Sequence, residues 1–250
     1  MTGNILNTAA LMFGTVLNAL GILIGGIAGL TVTRQLSPAK QSMLKVGMGA
    51  FTVFLGLKMT LLSLDGSFGH RVKQLVVVVL ALILGKLAGR SLHLQKSSNR
   101  LGHFAKEKLS QARPGNPDRF SDGLITCAIL FCVGPIAFLG ALADGLESNW
   151  KILAVKALMD GLAMMTFVKV FGWGAMLSVI SVVAYQGTIT LCVHALEPFL
   201  RQHDLAAPIT ATAGLLIFCI ALIILELKKF ELADYLPSLI FAPLLTLLVR

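Results

Sequence analysis

Charge is what this chain has least of. Only 13% of its 250 residues are Asp, Glu, Lys or Arg, and the acids number 12 against 21 Lys and Arg. A soluble domain of this length needs about twice that share to cover its surface, so a soluble globular protein is excluded. Histidine is sparse too, with five residues, and the four cysteines (Cys127, Cys132, Cys192 and Cys219) all fall inside apolar runs. There Cys behaves as a small hydrophobe. Cys127 and Cys132 lack both a zinc spacing and a histidine cluster, and no disulfide framework emerges. No metal and no cofactor are expected. Enzyme signatures are missing: there is no GxSxG, HExxH, Walker A or dinucleotide fingerprint. His194, alone near a span end, reads as structural, so no enzyme is expected. Aromatics make up 7% and do not interleave with the basic residues. The net charge of +9 is therefore no nucleic-acid footprint. The opening MTGNILNTAALMFG has no basic region before its apolar run, so a cleaved signal peptide is not expected.

What the chain does have is apolar length. Its hydrophobic fraction is 56% and its mean hydropathy +0.83. Repeated runs approach the roughly 20 residues that a bilayer crossing needs. The fold class is therefore all-α: a polytopic transmembrane helix bundle of about seven to eight spans, forming one integral membrane domain over residues 1–250. The spans fall near 10–30, 43–64, 74–92, 122–143, 152–170, 175–196, 209–227 and 235–249. The last is short for a full crossing and is expected to be tilted, half-inserted or re-entrant. The long polar loop 93–121 separates a first helix group, 1–92, from a second, 122–250. Its first part reads as a basic surface helix, broken by the PGNP stretch. FGWG, residues 171–174, reads as a turn between the fifth and sixth spans.

Loop charge sets orientation. Basic residues follow the first span (Arg34, Lys40, Lys45) and the third (Lys96, Arg100, Lys106, Lys108, Arg113, Arg119), whereas the loops after even-numbered spans are near balance. Cytoplasmic loops collect Lys and Arg, which puts the N-terminus outside and the long loop in the cytoplasm. His70, Arg71 and Lys73 count mildly against this. LKVGMGAFTVF in the second span loosely echoes VKALMDGLAMM in the fifth, which is compatible with an inverted three-span repeat of the transporter kind. Partners are the lipid bilayer and an unspecified small solute or ion. The glycine stripe described below suits a homo-oligomer as well as packing within the chain.

Polar groups inside the membrane are costly and point to function. Lys156 and Asp160 sit four apart on one helix face of the fifth span. Lys before Asp is the less favourable order for a helical pair, which weakens a purely local explanation for the acid. Lys156 reads either as a snorkelling structural partner or as a group tuning Asp160. Gly134 and Pro135 in FCVGPIAFLG predict a kink that frees the carbonyl one turn back, either for packing alone or to line a cavity. Asp144 at the end of that span reads as an exposed carboxylate. Gln186 in AYQGTIT needs amide partners, from another helix or from a ligand. Asn18 in the first span reads in the same two ways, and Gly21, Gly25 and Gly29 recur every four residues as a packing stripe.

The runs LITCAILFCVGPIAFLGALADGL, KALMDG, SVISVVAYQGTITL and ADYLPSLIFAPLL, with the opening GTVLNALGILIGGIAGL, resemble the bacterial DUF554 family over essentially the whole chain. Matching positions include Asn18, Gly134, Pro135, Asp144, Lys156, Asp160, Gln186 and Pro237. The resemblance implies a polytopic protein of the bacterial cytoplasmic membrane and implies no particular substrate. LAAPITATAGLL and GKLAGR depart from the family pattern, which tends to place an acid near each, so ion coupling here can differ. The leading expectation is a transporter or channel for a small solute or ion. Its site would be Asp160, Lys156, Gln186 and Asn18, with carbonyls freed at Pro135. The alternative is a non-transporting scaffold or regulator acting through the basic loop.

Overall fold

The computed structural model describes residues 12–32, 37–112 and 118–249. Arg34 and the Arg113 and PGNP stretch lie outside the described residues. Among those described, every regular element is helical. The α-helices are α1 (Phe13–Thr31), α2 (Pro38–Ser63), α3 (Phe68–Ser91), α4 (Leu94–Gln111), α5 (Arg119–Val133), α6 (Pro135–Glu147), α7 (Lys151–Phe171), α8 (Ser178–Gln202), α9 (Ala206–Ile224) and α10 (Ser238–Val249). Short 3-10 turns precede α8 (Trp173–Leu177) and α10 (Leu232–Tyr235).

Six segments are long and apolar enough to cross a membrane, and the bent pair α5–α6 makes up to seven. α7 has the length, 21 residues, but carries Lys151, Lys156, Asp160 and Lys169, so composition alone does not mark it as a span. The fourth expected span is two helices meeting at 61°, because Gly134 leaves helical geometry (ψ 137°) and Pro135 can only start a new helix. The long loop contains α4, one polar face and one apolar. The fifth and sixth spans part at Gly172, whose φ of +76° suits a glycine just past a helix end. The final segment is an apolar stretch, Leu232–Val249, long enough to count as a span because the 3-10 turn extends α10.

The chain divides into two compact units, 1–36 with 98–193, and 37–97 with 194–250. They interleave along the chain and so differ from the helix groups 1–92 and 122–250 expected from sequence order. The reason is helix contact, which is made by small residues rather than by chain neighbours.

In the first unit α1 packs along α7. A Cβ on Gly21 would sit 2.6 Å from the Ala157 carbonyl oxygen, and one on Gly29 would sit 2.5 Å from that of Met165, with Gly25 against Gly161 between them. The numbers rise together, so the two helices run parallel, backbone against backbone. In lipid, where apolar burial adds little between helices, such close approach is the main source of cohesion. An apolar core of Ile22, Cys127, Phe131, Met164, Val168 and Phe171 fills the space behind.

In the second unit α2 packs on α9. Gly56 meets Gly214 and Phe218, and Gly49 meets Leu225, so here the order is antiparallel. The pairing of α3 with α10 is also antiparallel, with Gly85 at Ser238 and Gly89 at Asp234. α2 and α7, whose openings echo each other, thus have different partners and opposite packing directions.

Polarity is inverted relative to a soluble protein. Thr15, Asn18, Thr126, Gln186 and Thr190 are fully buried, while Leu62 and Leu248 are exposed by 74% and 81%. An apolar exterior of this extent faces lipid.

Candidate functional site

The polar residues singled out on the first, fifth and sixth spans converge in the first unit. Lys156 and Asp160 lie one turn apart on the same face of α7, and the Lys156 ammonium donates to Asp160 Oδ2. Asn18 comes from α1, at the level where the glycine stripe brings that helix against α7. Its Nδ2 donates to Asp160 Oδ2 at 3.2 Å and to Gln186 Oε1 of α8 at 3.2 Å. The ammonium also lies 5.6 Å from the centre of the Phe131 ring, on the last turn of α5 before the break. A cation over an aromatic face is attracted by the ring quadrupole. All four polar side chains are at least nine-tenths buried.

Two atoms in the cluster lack partners. Asn18 spends its amide hydrogens on Asp160 and Gln186, which leaves its own Oδ1 without a donor. Gln186 accepts through Oε1, and its Nε2 has no acceptor. An orphaned buried polar atom costs about 1–3 kcal/mol. One acceptor and one donor therefore stand idle beside a charged pair. Thr15, one turn before Asn18, adds an unpartnered Oγ1.

The break at Gly134 and Pro135 opens the end of α5. Pro135 has no N–H, and beyond Gly134, where ψ is 137°, the chain leaves the course of α5. The last-turn carbonyls therefore lack the bonds that a continuing helix would supply. α6 is then held against its neighbours. The Thr190 hydroxyl donates to the Ala141 carbonyl at 3.2 Å, and a Cβ on Gly140 would meet Leu153 at 2.7 Å.

Asp144 is not the exposed carboxylate expected. It is 3% exposed, and its Oδ2 accepts the Gly14 backbone N–H at 3.1 Å. This caps the start of α1 from another helix, satisfies an orphan amide and places negative charge at a helix N-terminus. Nothing in the spacing of ALADG signals such a partner 130 residues away. Other charges do similar work. The Arg119 guanidinium donates to the Lys169 and Val170 carbonyls at the end of α7, at 2.9 and 2.5 Å. Lys73 donates to the Val249 carbonyl at 2.8 Å. That bond gives one of the three residues that count against the charge-based orientation a structural reason to be where it is.

The cluster is nearly closed, with Asp160 retaining 8% exposure. Two cavities of about 380 Å³ are lined by other residues, one near Asp65, His70 and Asp204 in the second unit and one between α4 and α5 in the first. Sequence reasoning picked out neither cavity, because each is defined by residues from separate helices.

A family model described as "Protein of unknown function (DUF554)" matches residues 13–247. The uncharacterized membrane protein YdfK of Bacillus subtilis is 28% identical over 240 residues, covering 96% of this chain and 97% of that protein. The uncharacterized protein YqgA of Escherichia coli is 24% identical over 234 residues, covering 93% and 95%. No solved structure matches the chain. With the family model spanning nearly all of an all-helical chain whose exterior is apolar, this multi-pass membrane protein belongs to the DUF554 family.

Proposed function

We propose that the chain is a non-enzymatic transporter or channel for a small solute or ion, with Asp160 as its charged centre. The observation that carries this reading is the pair of idle groups, Asn18 Oδ1 and Gln186 Nε2, buried beside the Lys156–Asp160 pair. A cluster built only to hold helices together would satisfy its own donors and acceptors, since each omission in a low-dielectric interior is costly. Here an acceptor, a donor and a carboxylate converge from three helices, next to a broken helix of the kind that lines substrate sites in transporters.

The chemistry is an exchange. In the closed arrangement Lys156 neutralises Asp160. An incoming cation or proton takes the carboxylate, Asn18 Oδ1 supplies a neutral ligand, and the ammonium swings toward the Phe131 ring and the open carbonyls of α5. When the ion leaves, Lys156 returns, so that a bare carboxylate is never buried alone.

Orientation belongs to the same proposal: a bacterial cytoplasmic membrane, with the N-terminus outside and α4 on the cytoplasmic side. Parallel α1 and α7 support the span order this assumes, because they require an even number of crossings between their starts, while the loop charges support its sense. At 1.5 Å per residue α6 covers about 20 Å, and α5 inclined at 61° adds roughly 11 Å, together about the thickness of the hydrocarbon core.

The test is flux in proteoliposomes under H⁺, Na⁺ and K⁺ gradients. Asp160→Asn alone leaves Lys156 unpaired and is expected to cost several kcal/mol, about 3–5 by analogy with broken buried pairs. The paired variant Lys156→Gln with Asp160→Asn removes both charges and should fold. Flux above empty liposomes for the wild type, lost in the paired variant, is the expected result. Flux unchanged in a folded paired variant removes Asp160 from the mechanism, and no flux of any of the three ions removes the cation reading.

A further inference from the structure

The basic loop was expected to contain a surface helix, but the groove that this helix forms with the broken span was not. α4 runs alongside α5 in the opposite sense. Near the end of α4, Lys108 Nζ bonds Asp122 Oδ1 at 2.9 Å, and Leu109 and Ala112 pack against the apolar core. Toward its start α4 stands away from α5, and the space between them is a cavity of about 380 Å³. One wall is polar and basic: Ser98, Gly102, His103 and Lys106 of α4. The other is apolar: Ile129, Leu130 and Val133 of α5, ending at Gly134. No carboxylate is among the lining residues.

We propose that this groove is a binding site for an anionic phospholipid. Its phosphate lies against Lys106 and His103, and its acyl chain runs along Ile129, Leu130 and Val133. Three observations choose this occupant. The two walls differ in polarity as the two ends of a phospholipid do. Their charge is complementary, because over 94–111 the helix carries Lys96, Arg100, Lys106 and Lys108 against Glu107 alone, with Lys108 already paired to Asp122. The third is depth. α5 departs by 61° from α6 and adds only roughly 11 Å of depth, so it and its neighbour α4 run obliquely in the shallow, headgroup-side part of the span. α4 also exposes Leu101 and Phe104, each by 43%, as a helix seated in the interface does. Basic side chains at that depth attract anionic lipid. This site is separate from the Asp160 cluster and stands whether or not the protein transports. Its occupant would rest on α5 just before the break, where Phe131 faces Lys156.

The test uses the full chain, purified in detergent and stripped of lipid. Retention of phosphatidylglycerol and phosphatidylcholine is compared by native mass spectrometry. With Lys106 at the phosphate, retention of phosphatidylglycerol should exceed that of phosphatidylcholine by roughly fivefold. His103→Gln with Lys106→Gln should bring the two lipids level. Lys96→Gln with Arg100→Gln, on the same helix but outside the groove, should leave most of the preference intact. Ile129→Trp, which fills the acyl seat, should lower retention of both lipids. A large excess of inorganic phosphate should not displace the lipid. Equal retention of the two lipids by the wild type overturns the proposal. So does equal loss in the two charge variants, which would mark general surface attraction, and so does displacement by phosphate, which would mark a site for the free ion. Gel filtration of each variant confirms that the fold is intact.

Discussion

At the scale of single residues, buried polar groups divide into those that are satisfied and those that are not. Asp144 is satisfied structurally: its carboxylate takes the Gly14 N–H and does for α1 what a local Ser or Asp cap does elsewhere. Asp144→Ala should therefore lower stability by about 1–2 kcal/mol, the usual cost of a lost cap, measured by thermal unfolding in detergent. Asp144→Asn keeps an acceptor and should lose less, and equal losses would show that charge at the helix end dominates. Gln186 is the opposite case. Its Oε1 is used and its Nε2 is idle. Gln186→Met removes the idle donor but also leaves one Asn18 amide hydrogen without its acceptor, so a loss of about 1–3 kcal/mol, partly offset by removal of the idle donor, is expected. On the transport reading it should also reduce flux. A large loss of stability without a change in flux would make Gln186 a structural group.

At the scale of elements, the decisive feature is how near two helices come. α1 touches α7 through Gly25 and Gly161, where even one methyl group has no room. Gly25→Val forces the helices apart and should destabilise by about 1–3 kcal/mol or more, as overpacking does. Gly47→Ala in α2, where an added Cβ meets nothing within 4 Å, should leave the melting temperature unchanged or raise it slightly. Similar losses at both sites would mean that glycine acts here through backbone freedom and not through contact. Beyond the end of α9, Glu226 bonds Lys45 of α2 at 2.6 Å, and that bond and the ammonium charge hold its carboxyl below the usual range. Because the folded value is lowered, the stabilisation is present above the ordinary carboxylate pKa and is lost as pH falls through the lowered value. Glu226→Gln should melt slightly below the wild type at neutral pH, and the two should coincide in strong acid. Both partners are exposed, so the gap is small and salt should narrow it.

At the scale of the whole molecule, basic side chains tie separate helices together. Lys45, Lys73, Lys108 and Arg119 are each engaged by an acid or by helix-end carbonyls. Cations at these sites therefore serve packing. The proposed topology is checked by labelling in intact cells on a cysteine-free background. Gly66→Cys should react with an impermeant maleimide from outside, and Gly102→Cys only after permeabilisation. The reverse pattern would invert the molecule and place α4 and its groove outside.

Apolar length, the scarcity of charge and the recurrence of glycine every fourth residue in α1 were enough to determine a lipid-embedded helical bundle. They determined it because hydrocarbon admits only backbone that is internally bonded, and that requirement is met locally, turn by turn. Local chemistry also marked the break at Pro135, since a missing N–H acts within one turn. Tertiary structure alone decided which helices are neighbours. Gly25 reads the same in sequence whether it meets a second copy, α2 or α7, and only the fold places Gly161 against it. For the same reason the fold decided that Asp144 is a cap, that α1 and α7 run parallel, and that Asn18, Asp160 and Gln186 share hydrogen bonds across 142 and 168 residues of chain. Contacts at that separation depend on how whole helices pack, and no local pattern records them.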